Sequence, residues 1–120
     1  MDILPTNLSL PALYTTESSP DPLVMLKLFH PASNWTWYAT EGNWVDEEGQ
    51  ALPADADPRL RADFLMFGLV IGLEAELGYF SLRELQQVRG PVGFGIERDL
   101  WFVPTPLSAV RAMHAALMCA

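Results

Sequence analysis

Asp63-Phe64-Leu65-Met66-Phe67-Gly68-Leu69-Val70-Ile71 is the stretch on which the fold turns. Its odd and even positions are both apolar, so a strand made from it leaves no face for water and belongs in the middle of a sheet. Upstream, residues 46–62 (DEEGQALPADADPRLRA) mix acids with Gly49, Pro53 and Pro58 and read as a solvated acidic loop. Before that loop, residues 35–41 alternate, with Trp35, Trp37 and Ala39 facing one way and Thr36, Tyr38 and Thr40 the other. Leu23 to Phe29 is apolar on both faces apart from Lys27 and predicts a further interior strand, ended by His30-Pro31. Residues 1–22 carry Pro5, Pro11, Pro20 and Pro22 and predict an irregular lead-in.

Downstream, Gly72 and Gly78 bracket the acidic segment Leu73-Glu74-Ala75-Glu76-Leu77, which reads as a turn. Ser81-Leu82-Arg83-Glu84 has capping-box spacing and predicts a short helix to Val88, stopped by Arg89-Gly90-Pro91. Val92 to Arg98 is a shaped turn, and Leu100 to Val103 is expected to be the last strand. Thr105-Pro106 supplies an N-cap and a first-turn proline for a helix to Met118, with Leu107, Val110, His114 and Leu117 on one face and Met113 beside it. The expected architecture is α+β. One domain over residues 1–120 holds an antiparallel sheet of four or five strands, a short helix, and a C-terminal helix on one sheet face.

Composition narrows the function. Half of the 120 residues are hydrophobic, with four Trp, six Phe and three Tyr, enough apolar material for one core. Fifteen acids against seven bases give a formal charge of −8, which repels a phosphate backbone and disfavours direct nucleic-acid binding. The same charge suits a basic partner, such as a protein whose usual ligand is nucleic acid. Cys119, the only cysteine, rules out an intrachain disulfide and fits a reducing compartment. With an acid at Asp2, no basic leader and no membrane-length apolar run, a cytoplasmic location is expected, with neither secretion nor anchoring.

No nucleophile motif or metal-ligand pair at helical spacing is present, and neither cofactor nor metal is expected. The glycines of 90–95 neither follow a strand nor open a helix, and Pro91 removes an amide that a phosphate would need. His30 and His114 read as structural, His114 as a partly buried imidazole hydrogen-bonded to the sheet. The polar residues singled out are Glu41, Glu74, Glu76, Arg89, Glu97, Arg98 and Asp99, which fall at strand ends or in glycine-bounded turns. Paired carboxylates can hold a divalent cation, but Arg89 and Arg98 are forks suited to pinning those acids in place, and that arrangement is expected. Trp35, Trp44 and Trp101 are the candidate interface aromatics, because basic residues to accompany a nucleic-acid stacking platform are missing.

A set of segments taken in order carries a resemblance: Ser33 to Gly42 (SNWTWYATEG), Phe67-Gly68, Gly72-Leu73-Glu74, Glu76 to Leu82 (ELGYFSL), Arg89-Gly90-Pro91, and Ile96 to Leu100 (IERDL). Together they resemble domain-of-unknown-function family 2958 over roughly residues 11 to 111. Pro11-Ala12-Leu13-Tyr14 is similar to the family's lead-in, while the residues before it lack the charged N-terminal helix usual there. The resemblance implies a small bacterial protein often encoded on plasmids and other mobile elements, and it transfers no catalytic residue. Two readings follow. The preferred one is an interaction or regulatory module that binds a protein partner, such as a host defence or DNA-processing factor, through an acidic and aromatic surface. The alternative is a metal-dependent single-stranded DNA endonuclease or other hydrolase that uses the clustered carboxylates.

Overall fold

The computed structural model describes residues 3–5, 8–88, 93 and 95–118, with side chains as far as Ala115. Within them the chain forms strands β1 (Leu23–Val24), β2 (Leu26–Phe29), β3 (Thr36–Val45), β4 (Asp63–Ile71) and β5 (Ala75–Ser81), then helix α1 (Leu82–Gln87). Strands β6 (Glu97–Arg98) and β7 (Thr105–Pro106) and helix α2 (Leu107–Met118) follow. Five strands make one antiparallel sheet in the order β5-β4-β3-β2-β6, and β1 pairs with β7 in a separate ribbon. The class is α+β, as expected from the patterning.

The run at 63–71 is apolar on both faces because both faces of the sheet are covered. On one face Leu26, Leu28, Trp37, Ala39, Phe64, Met66 and Phe80 pack with Leu85 of α1, and Ile3, Leu4, Leu8 and Leu10 of the lead-in close over them. On the other, Val24, Tyr38, Leu69 and Ile71 pack against Val110 of α2, flanked by Phe102 and Leu107. Leu28, Met66 and Leu69 are fully buried, each contributing about 1.5–3 kcal/mol relative to exposure. The described residues of this segment form neither helix nor strand, yet they are a layer of the core.

Several local expectations change once strands find their partners. Leu23 to Phe29 divides into two strands: the chain kinks at Met25, whose amide donates to the Ala39 carbonyl, and Leu23–Val24 leaves to pair with β7. Strand β3 continues to Val45, with a register shift between Ala39 and Glu41 that leaves Thr40 as a bulge. The Thr40 hydroxyl donates to the Phe67 carbonyl at 3.1 Å, satisfying the irregularity from within. The acidic segment between Gly72 and Gly78 is a turn only at its start. The Gly72 amide donates to the Glu74 carbonyl, Ile71 pairs with Ala75, and Glu76 already lies in β5, the terminal strand, whose first residues are exposed on both faces.

Leu100 to Val103 is a turn and extended link rather than a strand, because the Asp99 carboxylate captures the Trp101 amide and the Asp99 carbonyl accepts from Phe102. Thr105-Pro106 is not the helix cap but strand β7, and the Thr105 hydroxyl donates to the Val103 carbonyl. Asp21, from the lead-in, caps α2 in its place. Its two oxygens accept from the Ser108 amide (2.9 Å) and hydroxyl (2.6 Å), while the Pro22 carbonyl accepts from Leu107. The capping-box helix forms as read, with the Ser81 hydroxyl accepting from Glu84. The expected stop at Arg89-Gly90-Pro91 lies outside the described residues, as does the Leu117 side chain.

Candidate functional site

Lys27 on β2 stands opposite Tyr38 on β3, so both side chains emerge on the face that α2 covers. Tyr38 is buried, and its hydroxyl meets His114 Nε2 at 2.6 Å with the rings edge to face. Burial, then the Asp99 charge, raises the Tyr38 pKa; burial, then the Lys27 charge, lowers that of His114. A neutral phenol therefore meets a neutral imidazole, and a single proton is shared across the contact. With its hydroxyl sealed against the helix, Tyr38 fastens α2 to the sheet and is out of a substrate's reach.

Beside this fastening lies a cleft of about 900 Å³ between the β2–β6 edge and α2, with Lys27, Thr36, Glu97, Asp99, Trp101 and His114 on its walls. Asp99 organises its rim. Its amide donates to the Lys27 carbonyl at 3.0 Å, its Oδ1 accepts from the Trp101 amide at 2.9 Å, and its Oδ2 is 3.4 Å from Lys27 Nζ. The turn so stiffened presents Leu100, Trp101 and Val103 to solvent, Trp101 with 91% of its surface exposed.

The other singled-out residues disperse across the molecule. Glu41 is only 3% exposed, and its oxygens accept from the Tyr14 amide (2.9 Å), the Thr16 amide (2.8 Å) and the Thr16 hydroxyl. Burial pushes its carboxyl up, but these donors outweigh that and hold it below the usual range, so it stays ionised. Glu74 and Glu76 are exposed at the β4–β5 hairpin. Glu97 lies at the far edge, and the row from Ala75 through Ile71, Thr36 and Phe29 to Glu97 crosses the whole sheet. Four strand spacings separate the two ends by roughly 19 Å. Arg98 buries Nη1 without a hydrogen-bond partner among the described residues, and Arg89 lies outside them.

Glu97, Arg98 and Asp99 thus come together with the cleft, whereas Glu41, Glu74 and Glu76 do not. No three His, Cys, Asp or Glu side chains among the described residues are placed to hold a metal ion. Nor does any helix among them have the length and apolarity to cross a membrane.

The tryptophans divide in the same way. Trp35 stacks on Trp37 at 6.0 Å and 28°, over Gly72, where an added Cβ would lie 2.4 Å from the Trp35 ring. Trp44 is half-buried edge-on to Phe64 at 5.0 Å, with the Arg61 guanidinium 4.7 Å above it. Trp101 alone of these three lies almost wholly in water. Lys27 and Tyr38 were not singled out from the sequence. A lone lysine in an apolar strand was the signal for Lys27, and no local signal marked Tyr38 as the partner of a histidine 76 residues away.

A family profile described as "Protein of unknown function (DUF2958)" matches residues 8–117. No curated protein and no solved structure matches the chain.

Proposed function

The chain belongs to the DUF2958 family of proteins of unknown function, and from that premise we propose that it is a protein-binding module whose recognition surface is the Trp101 rim and the cleft beside it. The exposure of Trp101 in a stiffened turn carries the reading. A tryptophan in water forgoes the burial that would help the fold. Here two backbone hydrogen bonds, a side-chain hydrogen bond and an ion pair hold the turn that displays it. Pre-ordering an aromatic anchor next to a concave surface lowers the entropic cost of association, and buried tryptophans dominate the energetics of many interfaces. Charged groups at the rim, Lys27 with Asp99 and Glu97 nearby, would set orientation.

Trp101→Ala tests this directly. The variant is expected to melt within a degree or two of the parent, since the side chain contributes little to the core. In capture from native-host extract, at least one protein held by the parent should be lost by the variant, and the purified pair should bind at least about tenfold more weakly after the substitution. An unchanged set of captured proteins would refute the assignment.

A further inference from the structure

A second cleft, of about 450 Å³, opens on the same sheet face at the other edge, between the lead-in, β5 and the start of α2. Its floor is a row of residues in register: Glu41 on β3 opposite Phe67 on β4, and Phe67 opposite Tyr79 on β5. The Phe67 and Tyr79 ring centroids are 4.9 Å apart, and Tyr14 closes over Tyr79 at 6.3 Å. Tyr14 has a φ of 70°, in the left-handed region that a bulky residue seldom occupies, and the Glu41 carboxylate holds it there by accepting from its amide. The strained residue is not hidden. Tyr14 and Tyr79 are 59% and 51% exposed, so the strain serves to stand one tyrosine beside another in water.

The charge around this pair is negative. Hydrogen bonding with Tyr14, then desolvation, then the charges of Tyr14, Glu17 and Glu41 push the Tyr79 phenol up to about 12. Tyr79 is therefore neutral at working pH, and the part of its ring that Phe67 and Tyr14 leave open faces water. Arg111, on the α2 wall, is a base that lines the cleft.

We propose that this cleft receives an arginine side chain from a protein partner, its guanidinium stacked on Tyr79 and Tyr14 and drawn by Glu17 and Glu41. A guanidinium is planar, weakly hydrated and attracted to aromatic faces, so it fits a tyrosine-walled site with fixed negative charge better than an ammonium or a neutral group does. The net charge of −8 favours approach of a basic surface. The inference rests on the protein-binding reading but uses neither the Trp101 rim nor its cleft.

The probe is a blocked pentapeptide, Gly-Ala-Arg-Ala-Gly, titrated against the full chain by amide NMR beside its citrulline analogue, which keeps the shape and removes the charge. The arginine peptide is expected to shift the amides of residues 14–17 and 75–81 and to bind at least about tenfold tighter than the analogue. Tyr79→Ala and Glu17→Gln should each weaken it several-fold. Tyr79→Phe should retain most of the affinity, which separates ring stacking from any loss of fold, and Arg111→Ala should tighten it by removing a competitor for the acids.

Equal binding of the citrulline peptide, or no change in Tyr79→Ala, overturns the proposal. So does concentration-dependent dimerisation abolished by Tyr79→Ala, which would make a second copy the occupant, or displacement of the peptide by single-stranded DNA. Trp101→Ala should leave peptide binding unchanged. If the peptide fails while Trp101-dependent capture persists, only the arginine site falls.

Discussion

Tyr38 and His114 are the residues whose chemistry most depends on their surroundings. The imidazole faces the Tyr38 hydroxyl and the Lys27 charge, with Asp99 paired behind Lys27, and burial followed by Lys27 lowers its pKa. An unfolded histidine titrates near 6.5, so on acidification the unfolded chain takes up the proton first. The contribution of a neutral His114 is thus fully present above about pH 6.5 and is lost as pH falls through the lower folded value. The melting temperature is expected to fall from pH 7.5 to 5.0 more steeply in the parent than in His114→Gln, measured in parallel scans. Parallel slopes would show that the imidazole does not titrate against folding. Tyr38→Phe, which removes the buried hydrogen bond and strands Nε2, should cost about 1–2 kcal/mol in urea melts. The sequence marked His114 as a partly buried histidine bonded to the sheet, since its helical spacing put it on the inner face. It gave no indication that Tyr38 is the partner, because contacts across 76 residues leave no local pattern.

At the scale of elements, Gly68 and Gly78 face each other across β4 and β5 but differ in what surrounds them. A Cβ on Gly68 would lie 1.7 Å from the Tyr38 carbonyl oxygen, next to the Thr40 bulge, whereas one on Gly78 would meet nothing within 4 Å. Gly68→Ala should therefore cost at least about 3 kcal/mol or fail to fold. Gly78→Ala should be neutral or stabilise by up to about 1 kcal/mol, as alanine loses less entropy on ordering. Equal melting temperatures for the two variants would disprove the asymmetry. The α2 cap makes a second prediction at this scale. Hydrogen bonds from the Ser108 hydroxyl, then its amide, hold the Asp21 carboxyl below its usual value. Its contribution is present above the unfolded carboxylate pKa and disappears as pH falls through the folded one. Asp21→Asn should lower the melting temperature at pH 7 and differ less from the parent near pH 3. Thr105-Pro106 has all the local marks of a helix start, yet pairing with β1 claims it, because a two-residue strand has no periodicity of its own to announce it.

For the whole molecule, both sheet faces are buried, one of them partly by a segment without regular structure. Deleting residues 1–22 should expose the Trp37–Phe64–Met66 cluster, remove the donors that hold Glu41 and release the cap on α2. Dye binding to exposed apolar surface and a broadened, lowered melt are expected, and a deletion variant melting like the parent would reduce the lead-in to a tether. By itself the sequence determined the α+β class, the interior placement of residues 63–71, the capping-box helix and the family resemblance. Each of these is a local or compositional signal, since burial on two faces and cap spacing are written in neighbouring residues. Only the tertiary structure decided that Glu74 and Glu76 lie at the opposite sheet edge from Glu97 and Asp99 with Glu41 buried between them, that Trp101 is displayed while Trp44 is packed, and that Asp21 caps a helix 87 residues away. Those outcomes depend on which strand pairs with which, and pairing is settled by the free energy of burying both sheet faces together, a property of the assembled chain that no short window of sequence contains.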